Sequence, residues 1–146
     1  MRLDLIPVRV FGNTKFRGAC PAEALEQVTF FARIRSKYPE TWGALAIHPR
    51  NEQFLRGGQF QAVVRHRAEG MTAGASDIVI PAARSFVCEM KRRDHTKSKI
   101  DNEQIKYLLA AQRAGAFACV ALGADAAMEA LETWLWENQA RNASSS

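Results

Sequence analysis

Apolar positions change period along the chain in an order that predicts an α/β sheet with helices on both faces. Leu3 to Val10 is rich in strand-forming residues but contains Pro7, so any strand there is short or lies at a sheet edge. From Pro21 to Lys37 the period is helical: Pro21 suits the first turn, Leu25, Val28 and Ala32 recur at helical spacing, and Pro39 marks the stop. Gly43 to His48 alternates, with Leu45 and Ile47 on one side, and reads as a short strand. Gly57-Gly58 punctuates the chain before a short helix from Gln59 to Glu69, which Gly70 closes.

The middle of the chain is more definite. Ser76 to Pro81 and Ser85 to Lys91 are β-branched or apolar runs joined by Ala82-Ala83-Arg84, a connection suited to an antiparallel hairpin. A basic, polar loop from Arg92 to Ile100 leads to a helix over about Asp101 to Ala114. Asp101 and Gln104 are spaced there as an N-cap and its third-position partner, Gly115 is the stop, and Ile105, Leu108 and Leu109 form the buried stripe. Ala116 to Leu122 is an apolar run bounded by glycines, as expected of a central strand buried on both faces and parallel to an earlier one. A last helix, Ala124 to about Gln139, sets Met128, Leu131, Trp134 and Leu135 on one side and acids on the other; Trp134 reads as core and Trp136 as a packing or interface residue.

At 146 residues the chain is long enough for one domain, assigned to residues 1–141 with a disordered tail at 142–146. Hydrophobic residues make up 47% and charged residues 24%, which excludes collagen-like or wholly disordered readings. The longest uncharged run, Ala114 to Ala124, is far below the roughly 20 apolar residues of a membrane-spanning helix, and Asp4 and Arg9 interrupt any leader-like stretch. Cys20, Cys88 and Cys119 fit neither a disulfide framework nor a zinc pattern and read as reduced thiols of a cytoplasmic protein. Through Arg113 there are 19 Lys and Arg against 11 Asp and Glu; from Ala114 onward one Arg faces four acids. The positive excess gathers at Arg33-Ile34-Arg35-Ser36-Lys37, at Arg65-His66-Arg67, and at Lys91-Arg92-Arg93 with Lys97 and Lys99. Such clusters suit a polyanion, nucleic acid above all, or form a merely solvated face.

In the second hairpin strand Phe86, Cys88 and Met90 point one way, and Val87, Glu89 and Lys91 the other. A carboxylate and an ammonium thus share a face, and antiparallel pairing brings Asp77 alongside them. Two hard oxygen donors converging in this way suit Mg²⁺, with waters and a phosphate completing its shell, and a neighbouring lysine can orient water and offset phosphoryl charge. Each residue also has a plainer role: Asp77 as a strand-start turn residue, Glu89 and Lys91 as a surface ion pair, Glu23 as a first-turn helix acid, Gln104 as a cap.

Asp77 followed by Glu89-Met90-Lys91 resembles the D…E-x-K signature of the PD-(D/E)XK nuclease superfamily. Its surroundings resemble the virus-type replication-repair nuclease (VRR-NUC) domain, in its stand-alone phage or prophage form. They comprise Gly70-Met71-Thr72-Ala73-Gly74-Ala75-Ser76 ahead of Asp77, Cys88 ahead of Glu89, Gln104 in the next helix, and Gly115 before a strand. Glu23 and Gln27, followed by Phe30-Phe31, resemble that family's E-x-x-x-Q opening, and Ala46-Ile47-His48-Pro49-Arg50-Asn51 resembles its I-P-N segment. Ser76 stands where proline commonly precedes the aspartate, and Arg50 interrupts the usual Pro-Asn pair.

The resemblance implies a restriction-endonuclease-like αβββαβ core, a mixed sheet flanked by helices. It implies Asp77 and Glu89 as ligands of Mg²⁺ or Mn²⁺, the Met90 carbonyl as a further oxygen, and Glu23 reaching the metal directly or through a water. Lys91 then orients the attacking water, Gln104 contacts a water or the scissile phosphate, and Arg65, Arg67, Arg92, Arg93, Lys97 and Lys99 bind DNA. The implied activity is a structure-selective DNA endonuclease acting on branched substrates such as four-way (Holliday) junctions, as a homodimer in the cytoplasm of a bacterial host. The competing readings are a non-catalytic nucleic-acid-binding module of the same fold and an RNA-directed nuclease. His48, His66 and His95 show no metal spacing, His95 falls in a loop expected to be solvated, and the glycine pairs lack the Lys-Ser/Thr of a phosphate-binding P-loop.

Overall fold

In a computed structural model that describes residues 1–49 and 60–144, a four-stranded sheet in the order β1-β4-β3-β2 is built from β1 (Arg9–Phe11), β2 (Ile78–Ile80), β3 (Phe86–Lys91) and β4 (Phe117–Leu122). β1, β4 and β3 run parallel, and β2 closes one edge antiparallel to β3 through the expected hairpin. The helices are α1 (Glu23–Lys37), α2 (Trp42–Leu45), α3 (Phe60–Ala68), α4 (Asn102–Arg113) and α5 (Ala124–Ser144). α4 is the crossover between the parallel strands β3 and β4, as a parallel pair requires.

All twelve residues of β3 and β4 are buried because each face of the sheet is covered. On one face Phe86, Cys88, Met90 and Cys119 meet α1 and α5 through Phe30, Ile34, Leu131 and Trp134. Trp134 packs 5.5 Å from the Phe86 ring centroid and donates its indole N–H to the Arg84 carbonyl at 2.9 Å. On the other face Val87, Ala118, Val120 and Leu122 pack with Leu108 of α4.

Several sequence expectations need correction. Leu25, Val28 and Ala32 are not the buried stripe of α1: Leu25 and Val28 are 57% and 65% exposed, and the core takes Glu26, Phe30, Phe31 and Ile34. Both stripes have helical spacing; the one carrying two aromatic rings removes more apolar area from water. Gly43 to His48 is not a strand but helix α2 followed by a single bridge, Ile47 to Val79. α2 turns so tightly against the end of α1 that a Cβ on Gly43 would lie 2.5 Å from the Tyr38 carbonyl and 2.6 Å from that of Ile34. The first of the three strands in the expected αβββαβ core is thus reduced to one bridge, and the fourth strand of the mixed sheet is the N-terminal edge strand β1. α5 continues past Gln139 to Ser144, so residues 142–144 are helical where a disordered tail is expected. His95 lies in a short 3₁₀ turn and is 7% exposed rather than solvated, its Nδ1 3.2 Å from the Met1 carbonyl. Gly57, Gly58, Arg50 and Asn51 lie outside the described residues.

Candidate functional site

The hairpin register decides what faces what. Ile78 pairs with Cys88 and Val79 with Val87, so one further step sets Asp77 opposite Glu89. Asp77 Oδ2 accepts the Met90 N–H at 2.9 Å, and His48 Nδ1–H donates to the Asp77 carbonyl at 2.8 Å, fixing this strand entry from both sides. The segment before Asp77 is drawn onto the start of α4 at Gly74, whose φ is +73° and whose absent Cβ would lie 2.3 Å from the Glu103 carbonyl group. Only glycine serves there, for both conformation and space. The same start of α4 carries Gln104, so one close approach brings the two chain segments together at the end of β3.

Gln104 has two duties. Its Oε1 accepts the Asp101 N–H at 3.0 Å while Asp101 Oδ1 accepts the Gln104 N–H at 2.8 Å, the reciprocal capping box the spacing predicts. Its Nε2 donates to Glu89 Oε1 at 2.7 Å. Capping and site contact are therefore both true of Gln104. Glu89 and Lys91 are 1% and 2% exposed, which overturns the alternative of a surface ion pair. Lys91 Nζ lies 3.4 Å from Glu89 Oε1 and donates to the Lys99 carbonyl at 2.6 Å. Glu89 Oε2 is buried and accepts no hydrogen bond from a donor among the described residues.

Burial is the main force on the ionisation of both acids. It pushes Glu89 well above the usual carboxyl range, with the facing Asp77 charge adding to the rise and Lys91 opposing it. Asp77 is also raised by burial, against the pull of the Met90 N–H and neighbouring charges. Two carboxylates held together with an unanswered oxygen favour gaining a positive species, either a proton or a hard cation. The donor set fits a divalent ion that takes oxygen ligands and keeps waters. Among the described residues no three His, Cys, Asp or Glu side chains cluster, so this chain offers two carboxylates and leaves the remaining positions to other oxygens.

The structure brings Asp77, Glu89, Lys91 and Gln104 together and leaves Glu23 outside that hydrogen-bonded group. Glu23 Oε1 accepts the Ser98 hydroxyl at 2.6 Å, and Ser98 Oγ in turn accepts the Arg92 N–H at 3.0 Å. Of the cations expected to meet DNA, Arg92 is turned inward, donating to the Cys20 carbonyl at 2.7 Å and the Pro21 carbonyl at 3.2 Å. Arg93 lies 3.5 Å from Glu26 and 3.8 Å from Asp125. Lys97 and Lys99 are exposed, with Lys97 reaching the Gly18 carbonyl at 2.7 Å; Arg65 and Arg67 are exposed on α3, Arg65 3.9 Å from Glu69. Sequence reasoning missed Ser98 and Glu26. Glu26 could have been noticed, because it stands four and eight positions before Phe30 and Ile34, on the stripe that proves buried.

A solved structure described as a VRR_NUC domain protein is similar to this chain with a TM-score of 0.63, covering 81% of this chain and 89% of its own at 17% identity. The chain has the VRR-NUC fold. No family model and no curated protein matches its sequence. On this VRR-NUC fold the carboxylate pair lies where the edge hairpin meets the start of the crossover helix, one wall from each. At 17% identity the likeness is one of backbone fold.

Proposed function

We propose that this chain is a divalent-metal-dependent endonuclease that hydrolyses DNA phosphodiesters at the Asp77–Glu89 pair. The observation that carries the reading is the buried Glu89 Oε2, with no N–H or O–H donor among the described residues, set opposite Asp77 with Lys91 alongside. Asp77, Glu89 and the Met90 carbonyl are the groups to hold Mg²⁺ or Mn²⁺, with Glu23 reaching the site through a water. When bound, such an ion supplies Lewis acidity toward a phosphoryl oxygen and lowers the pKa of water.

The chain's own residues do the rest. Lys91, shielded from solvent and aimed by the Lys99 carbonyl, orients the attacking water and offsets negative charge gathering on the phosphate. Gln104, locked by the capping box, holds Glu89 in place through one amide N–H and leaves the other to contact a water or the scissile phosphate. This preorganisation costs nothing at the moment of reaction, since the cap has already fixed the side chain.

The family resemblance points to branched DNA such as four-way junctions, and to a domain carried by phage or prophage and acting in the bacterial cytoplasm. Cutting both strands of a symmetric junction needs two sites, hence a homodimer. No helix among the described residues is long and apolar enough to cross a membrane.

The test compares a four-way junction, linear duplex, flap and structured RNA with Mg²⁺, Mn²⁺ or EDTA. Cleavage is expected with metal only, and Asp77→Ala and Lys91→Ala should abolish it while retaining binding. Binding without product under every condition establishes a non-catalytic module instead, and product from RNA alone changes the substrate. Light scattering at working concentration reports the dimer, and a monomer removes junction resolution.

A further inference from the structure

The described cations of this chain divide into two kinds. Those of the first cluster are answered by other groups: Arg33 bonds Asp125, Lys37 lies 2.7 Å from Glu132, and Arg35 sits 5.2 Å over the Phe31 ring. Arg9 and Arg84 share Glu137 at 2.6 and 3.0 Å. Lys15, Arg17, Lys97 and Lys99, which form no salt bridge among the described residues, lie in two stretches that touch, residues 13–18 and residues 92–99; the second also holds Arg92, turned inward, and Arg93, paired with Glu26 and Asp125.

Those stretches are laced together. Gly18 N–H donates to Asp94 Oδ2 at 3.0 Å, Lys97 donates to the Gly18 carbonyl at 2.7 Å, and Arg92 holds the carbonyls of Cys20 and Pro21. Residues 13–16 form a turn in which Asn13 Oδ1 accepts the Lys15 N–H at 3.0 Å and the Asn13 carbonyl accepts the Phe16 N–H at 3.2 Å. Lys15 and Arg17 emerge from it exposed, and among the described residues no salt bridge engages either one, Lys97 or Lys99. Together the two stretches carry six cations and one acid, a net charge of +5, which equals the formal charge of the whole protein. All remaining residues hold 14 cations and 14 acids and sum to zero. The one acid, Asp94, is buried and bonded inward. The loop 92–99 begins next to Lys91 and returns to it, since the Lys99 carbonyl accepts the Lys91 ammonium.

We infer that residues 13–18 and the loop 92–99 form one phosphate-docking platform beside the carboxylate pair, with Lys15 and Arg17 as backbone contacts for the DNA strand that enters the site. Arg92 is the strut that assembles the platform. The inference rests on the nuclease reading for its ligand, a phosphodiester backbone, but its geometry stands on the lacing and on the charge count. A surface on which four exposed cations, Lys15, Arg17, Lys97 and Lys99, stand without a salt bridge concentrates positive field there, and polyanions are drawn to it by release of their counterions.

The experiment measures binding of a fluorescent 30-mer duplex and of a four-way junction to the full chain in EDTA, by anisotropy across a salt series. Lys15→Glu/Arg17→Glu should weaken both by at least about tenfold, and Lys15→Gln/Arg17→Gln should lower the slope of log affinity against log salt by about 2, one for each phosphate no longer neutralised. Lys37→Glu, on the paired cluster, should change affinity less than about twofold. Lys15→Glu alone leaves the Arg17 bonds to the Thr14 and Phe16 carbonyls intact and guards against a loosened turn. A parent that binds while the double variants bind within twofold of it, with the same salt slope, overturns the platform and leaves the nuclease reading standing. A parent with no salt-sensitive binding overturns both.

Discussion

Two glutamates lie buried on opposite faces of the sheet, and they are treated in opposite ways. Glu26, 3% exposed, reaches the start of α5, where its Oε2 accepts the Ala124 N–H and its Oε1 lies 3.5 Å from Arg93. A carboxylate at a helix N-terminus meets unpaired N–H groups and the positive end of the helix dipole, so this acid is answered on both oxygens. Glu89, 1% exposed, has Gln104 and Lys91 on one oxygen, no N–H or O–H donor among the described residues on the other, and faces a second acid close enough to share a proton with it. Burial of charge therefore marks no site by itself. An oxygen left over, beside a like charge, marks one, because the fold holds it against its own stability.

This contrast can be broken by exchanging each acid for its neutral isostere. Glu89→Gln should lower cleavage by about 10³-fold or more, the loss of several kcal/mol of transition-state stabilisation, yet raise the melting temperature in metal-free buffer. Glu26→Gln should do the reverse, costing about 2 kcal/mol, or roughly 5 °C in melting temperature, with turnover at 25 °C retained. If the two variants lose stability alike, the distinction between an answered and an unanswered acid is wrong. Calorimetry in EDTA and a single-turnover cleavage assay read both.

A pH series sharpens the same contrast. Glu89 starts from an ordinary value of 4.5 and is raised well above it in the folded protein, so above pH 4.5 the folded state binds more protons than the unfolded one. Stability without metal should then fall as pH climbs from about 4.5 toward the raised value, and in Glu89→Gln that part of the slope should vanish. Divalent ions compete with the same proton, so their affinity should rise over the same interval, as titration calorimetry would show. The smallest expected effect belongs to Gln104→Glu. It keeps the third-position cap but swaps the amide that donates to buried Glu89 for a carboxylate, so stability in metal-free buffer should fall by about 1 kcal/mol in chemical denaturation and cleavage should slow.

Much of the fold was legible because it depends on neighbours in the chain. The hairpin, the β4 run between glycines and the capping box all follow from residues within a few positions of one another. Face alternation in β3 likewise puts Glu89 and Lys91 together and Cys88 and Met90 opposite, as found. The misreadings share a cause. Choosing between two apolar stripes on α1, or between a strand and a tight helix at Trp42–Leu45, depends on what the rest of the protein presses against them. Arg92 stands in a basic run and so reads as a DNA contact, and only the chain at Cys20 and Pro21 turns it inward.

By itself the sequence determined which residue types could meet: two acids and a lysine on adjoining strand positions, and a glutamine at the third position of the next helix. Periodicity and turn chemistry are local properties, and they survive without knowledge of the partner surfaces. The tertiary structure alone decided which charges are answered. Pairing acts through space over a few ångströms, so Glu26 found a helix terminus 98 positions away, Glu89 found a like charge, and Lys15 and Arg17 formed no salt bridge among the described residues.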